Sequence, residues 1–168
     1  GTSDIGVAND FRRIGLVRDP YNFGTTTVAS ADTRRQLYAT VFSSVSGTFT
    51  ADEEINQAST GAVGKVVEFD STNKILYYYQ TRFPDVGTDS DGNLTAFSGA
   101  NAITGQSSSA SATPNTSNST TTNGVVFVSG YSNPELAFDS GDIIYVEERS
   151  PITRASDQTE NIKLIIEF

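Results

Sequence analysis

Ile162, Leu164, Ile166 and Phe168 alternate with Lys163, Ile165 and Glu167. That period of two puts four large apolar side chains on one face of an extended strand. A chain end frays unless something ties it down, so this segment reads as one held in a sheet. Just before it, Asp142 to Glu147 forms a second apolar strand pattern, and Arg149-Ser150-Pro151 marks the bend between the two. A proline cannot donate to a ladder and restricts the residue before it.

The same β-type patterning recurs upstream. Phe11 to Val17 reads as a strand that Asp19-Pro20 ends, and Gln36 to Val45 as another. Lys65 to Phe69 and Ile75 to Gln80 flank Asp70 to Lys74, a run rich in residues that bond their own backbone. This predicts a hairpin. Gly61 to Gly64 reads as a tight turn of small residues, and Phe49 and Ile55 bracket an acidic bend. Helix signals are few: Ser30 to Arg35 could make one turn, and Asn133-Pro134-Glu135 has the order of a helix start, with Leu136 to Asp139 completing a turn. Val, Ile, Thr, Tyr and Phe are frequent, and Leu, Lys and Glu sparse. The expected fold is mainly β, an antiparallel sandwich or barrel-like sheet with few short helices.

Three zones are expected within the 168 residues. Residues 1–45 are the first part of a core β domain. Residues 46–130 are an inserted β-hairpin module with a Ser/Thr-rich loop at 105–123. Residues 131–168 are the second part of the core, so that Phe11–Val17, Asp142–Glu147 and Glu160–Phe168 should lie close in one sheet. The run from Gly105 to Asn123 is low in complexity and reads as a flexible excursion without core residues. No Met is present, so Gly1 reads as other than a native start and the chain as a piece or processed form of something longer.

Charge and chemistry narrow the function. With 11 Lys and Arg against 20 Asp and Glu the net charge is −9, which disfavours nucleic acid and anionic membrane surfaces. No apolar run reaches the roughly 20 residues a helix needs to cross a bilayer. Without His or Cys, the chain holds no Ser-His-Asp triad, cysteine nucleophile or Cys/His zinc site. Absent cysteines also fit a cytoplasmic assembly site.

The remaining candidates each have a plain structural explanation. Asp85, Asp89 and Asp91 before Gly92-Asn93 resemble part of a calcium loop, but no Glu closes the pattern and Asp-Gly is a turn signal. Asp52, Glu53 and Glu54, like Glu147 and Glu148, are clustered carboxylates, yet neighbours on a strand point to opposite faces, so no catalytic pair forms. Arg149, Arg154 and Asp157 suit ion pairs that fix a bend. Glycosylation-type triplets at Asn93, Asn115 and Asn118 arise by chance in so polar a stretch. Tyr77-Tyr78-Tyr79 puts aromatic rings on both faces of its strand, one for a core and the other for an interface. No residue is assigned a catalytic, cofactor-binding or metal-binding role.

The tail of the chain resembles a known family. Ser140-Gly141-Asp142-Ile143-Ile144-Tyr145-Val146-Glu147-Glu148-Arg149-Ser150-Pro151-Ile152, then Asp157-Gln158-Thr159-Glu160 before a last strand, is similar to the carboxyl end of the baseplate wedge protein encoded by gene eight of T4-like phages. Phe11-Arg12, Ile14 and Asp19-Pro20 resemble the strand preceding that ending, and Asn133-Pro134-Glu135 its Pro-Glu turn. Residues from about 46 to 130 have no counterpart in the short family form and resemble an inserted β module, and the family's large amino-terminal part is absent from this sequence, so the resemblance implies the carboxyl-terminal region of a longer wedge protein from a marine phage or metagenomic source. The resemblance implies a virion structural protein of the tail baseplate, assembled in the host cytoplasm. It would contact other wedge subunits and form a homodimer, with no enzymatic activity and no cofactor. Two alternatives stand beside it. One is a glycan-binding or adhesin-like extracellular β domain, with Tyr77–Tyr79 or Asp85–Asn93 as its site. The other is a carboxylate glycosidase.

Overall fold

The computed structural model describes residues 12–30, 35–81, 86–137 and 140–149. They hold no helix and form two compact units, residues 1–20 with 140–168, and residues 21–139. These borders differ from the expected 45/46 and 130/131.

In the smaller unit, β1 (Arg12–Arg18) pairs antiparallel with β11 (Asp142–Arg149), so the expected strand, from Arg12 to Val17, does meet Asp142–Glu147, while Phe11 lies outside the described residues. The register slips between Leu16 and Val17, leaving Ile144 as an extra residue on β11. Such a bulge strengthens the local twist. Gly141 precedes β11 with φ +84°, and a Cβ there would lie 2.6 Å from the Arg18 carbonyl oxygen, so only glycine fits. Glu160–Phe168, residues 31–34 of the expected Ser30–Arg35 turn, and residues 138–139 lie outside the described residues.

The larger unit contains β2 (Tyr38–Ser46), β3 (Glu54–Gln57), β4 (Ala62–Asp70), β5 (Ile75–Tyr79), β6 (Ile103–Gly105), β7 (Ser111–Pro114) and β10 (Tyr131–Ser132) in one antiparallel sheet. Its order is β10-β2-β5-β4-β3-β6-β7, and β2 pairs with β5 through Tyr38–Val41 and with β7 through Phe42–Ser46. Six strands therefore close on themselves, in the barrel-like form expected. The expected hairpin is β4–β5, and the Asp70 carboxylate accepts the N–H groups of Thr72 and Asn73 in its turn. The preceding turn ends at Gly61, and Ala62–Gly64, expected as a turn, already belong to β4.

Side-chain alternation sorts the strands into an inside and an outside. Phe42, Ile55, Ala62, Val66, Leu76, Tyr78, Ile103 and Ala112 face a buried interior with Phe49, Phe97 and Ala110. Tyr78 meets Phe97 edge-on at 4.9 Å and stacks on Tyr38 at 5.6 Å. A closed barrel this narrow needs small residues opposite such rings. A Cβ on Gly64 would lie 3.2 Å from both the Phe97 and Tyr78 rings.

Two expectations are corrected. Residues 105–123 are not a coreless loop: Ala110 and Ala112 are fully or nearly buried, β7 closes the barrel, and β8 (Thr121–Thr122) starts a further hairpin. Small side chains are what the crowded interior requires there, although their composition looks like a linker. Residues 133–137 do not form a helical turn either. The Glu135 and Leu136 N–H groups donate to the Arg35 carbonyl, and Leu136 bridges to Asn22. Tertiary partners take the hydrogen bonds a helix would have used.

Candidate functional site

The outer face of the barrel is also partly covered. β8 turns into β9 (Val125–Val126) through Asn123-Gly124, both at positive φ (47° and 77°). This is the two-residue turn that suits hairpin twist. Ser129-Gly130 repeats it between Val128 and Tyr131, with φ 50° and 82°. The chain thereby folds back over the sheet, and Val125 and Phe127 bury themselves against Ala39, Val41, Ile75 and Tyr77. Val126 and Val128 point away from this second core and stay exposed.

Where the cover stops, a cleft of ≈ 670 Å³ opens, lined by Arg35, Tyr77, residues 123–126, Val128, residues 131–133 and Glu135. Arg35 is locked in its wall. Its guanidinium donates to the Leu37 carbonyl, to Ser132 Oγ at 2.8 Å and to the Asn133 carbonyl at 2.9 Å. Its backbone N–H donates to Glu135 Oε2 at 2.7 Å. Burial pulls the Arg35 pKa down, and the Glu135 charge opposes that. Burial pushes the Tyr77 phenol up, with Arg35 opposing. The Tyr131 phenol is also raised by burial, and its hydroxyl donates to the Gly99 carbonyl at 2.7 Å. Both tyrosines are therefore neutral at neutral pH. The Tyr77 hydroxyl and the Asn133 side-chain amide make no hydrogen bond among the described residues, so the cleft presents unused polar groups beside an aromatic ring and valine side chains.

The residues singled out in the sequence do not gather at one place. Tyr78 is in the barrel core, whereas Tyr77 lies on the opposite face of β5 and lines the cleft. Glu53 is buried and structural. It accepts hydrogen bonds from the N–H groups of Thr50 (2.7 Å), Ser107 (3.1 Å) and Ser108 (2.9 Å) and from Ser108 Oγ (2.8 Å). Burial raises its pKa, but these bonds together hold it below the ordinary value. Asp52 and Glu54 are exposed. Asp89 caps its own turn by accepting from the N–H groups of Asp91 and Asn93 at 2.9 Å each. Among the described residues no cluster of three carboxylates could hold a metal. Glu147, Glu148 and Arg149 follow one another on β11, while Asp85, Arg154 and Asp157 lie outside the described residues.

Arg35, Asn123, Asn133 and Glu135 were not foreseen as a site. Asn123-Gly124 carried the hairpin signal but sat in a stretch dismissed for its composition, and Asn133-Pro134-Glu135 mimicked a helix start.

The family model for Bacteriophage T4, Gp8 matches residues 78–168, more than half of the chain. The chain belongs to this Gp8 family. Gp8 is a baseplate wedge protein, so the chain is a structural protein of the phage tail baseplate with other baseplate proteins as partners. The match takes in residues 78–130, which the resemblance had left without a counterpart, and leaves out residues 9–20. Within the match lie β11 and the cleft residues from Asn123 to Glu135. No curated protein and no solved structure matches the chain.

Proposed function

We propose that this Gp8-family chain acts without catalysis, through protein–protein contacts in the baseplate wedge, and that the β1–β11 ribbon makes those contacts. The supporting observation is exposure: Leu16, Val17, Ile143, Ile144, Tyr145 and Val146 remain between 38% and 70% exposed on a ribbon with two paired strands among the described residues. Leu16 pairs with Tyr145 and Val17 with Ile143, so both faces carry apolar side chains. Contiguous exposed apolar surface of this kind marks interaction sites.

On this reading the ribbon docks on other wedge subunits or on a second copy of the chain, in virions assembled in the host cytoplasm. Residues 21–139 form a β module carried between the two halves of the smaller unit. The test is to co-produce the chain with the other wedge subunits of the same phage and measure complex formation by size exclusion. Ile143→Asp with Val146→Asp should abolish the complex while leaving the thermal midpoint of the barrel unchanged. A complex that survives the double substitution would sink the ribbon as the docking surface.

A further inference from the structure

We propose that the cleft beside Tyr77 binds a neutral saccharide. This goes beyond the structural role and stands whether or not the ribbon assembles with other subunits. The cleft volume, ≈ 670 Å³, falls within the roughly 300–1,000 Å³ typical of small-molecule sites and is far too large for an ion. Its lining then narrows the ligand by elimination.

An anion is a poor fit. Among the described residues Arg35 is the sole cation in the lining, and its guanidinium donates to three protein oxygens while Glu135 lies beside it. A metal ion is a poor fit as well, because Glu135 is the sole carboxylate there among the described residues. A peptide strand would need a free edge, but the barrel is closed and β10 spans just Tyr131–Ser132. A wholly apolar ligand would strand the Tyr77 hydroxyl, the Asn133 amide and the Glu135 carboxylate.

A sugar ring has apolar C–H faces and a rim of hydroxyls that both donate and accept. Those faces match the Tyr77 ring and Val126, and the hydroxyls match Asn133 and Asn123, whose amides donate and accept, and Glu135, whose carboxylate accepts. The wall is also preorganised. Arg35 is pinned by its hydrogen bonds, and Asn123 by its turn and by a bond from its amide to Asp70 at 3.3 Å. Little ordering remains to be done on binding.

The experiment is an NMR titration of the full chain with short oligosaccharides of glucose, galactose, mannose, rhamnose and N-acetylglucosamine, with inorganic phosphate as a parallel probe. At least one saccharide should shift the amides of Asn123, Gly124, Asn133 and Glu135 together. Asn133 is exposed, so Asn133→Ala should keep the fold and weaken binding about three- to tenfold, the size of one lost hydrogen bond. Tyr77→Phe should weaken it by a similar factor, and Tyr77→Ala by more. The proposal is overturned if no saccharide moves those amides, if the shifts cluster elsewhere, if phosphate alone moves them, or if Asn133→Ala and Tyr77→Phe both bind like the parent.

Discussion

In the barrel, β2 has partners along both edges, whereas β1 and β11 have only each other among the described residues. Both regions are antiparallel and rich in Val, Ile and Tyr, so strand propensity does not separate them. Closure does. Closing the sheet removes its free edges and gives each inward side chain a facing partner. A Tyr78 ring can then meet Phe97, Tyr38 and Val66 in one interior. The ribbon has no second layer among the described residues, and Val17, Ile143, Ile144 and Val146 stay exposed. A two-stranded ribbon is marginal by itself. The lesson is that one alphabet of β residues makes a self-sufficient core in one place and a surface awaiting a partner in another.

The comparison breaks most decisively if the units are separated. Residues 21–139 produced alone should unfold in one cooperative thermal transition. Residues 1–20 joined to 140–168 should show no such transition. Cooperative melting of the small piece would mean that it needs no partner. Next in size are paired truncations read by urea unfolding. Phe127→Ala removes a ring that is 1% exposed and should cost about 3–5 kcal/mol. Ile143→Ala, 70% exposed, should stay within about 0.5 kcal/mol. Equal losses would erase the distinction between the two regions.

Glu53 sharpens it through pH. Its carboxyl is depressed in the folded barrel by four hydrogen bonds, against the pull of burial. A depressed carboxyl adds stability that is present above its unfolded pKa and is lost as pH falls through the folded value. Acidification should therefore weaken the parent barrel. Glu53→Gln should lose about 2–3 kcal/mol at neutral pH and unfold with less dependence on acid. A parallel pH profile for both proteins would show that the carboxylate charge is idle. The smallest effect belongs to the ribbon ion pair, Arg18 Nη2 to Asp142 Oδ2 at 2.9 Å, which is open to solvent. Asp142→Asn should leave the melting temperature of the chain unchanged within error, and a clear drop would reveal a buried environment for that pair.

Much of the local structure was legible in the residues. The end of β1 before Asp19-Pro20 and the β4–β5 hairpin with its self-bonding turn follow from short-range patterns. Period-two alternation and turn chemistry act between near neighbours, so a linear string records them. Mainly β structure was legible at that level too.

The rest needed the fold. Whether Ala110 and Ala112 are linker or core depends on the rings that face them across the barrel. Whether Asn133-Pro134-Glu135 starts a helix depends on an Arg35 carbonyl far away in the chain. The cleft unites residues 35, 77, 123 and 133, which no spacing rule connects. Hydrogen-bond donors and apolar surfaces take the best partner in space. Only the closed sheet determined which partners those were.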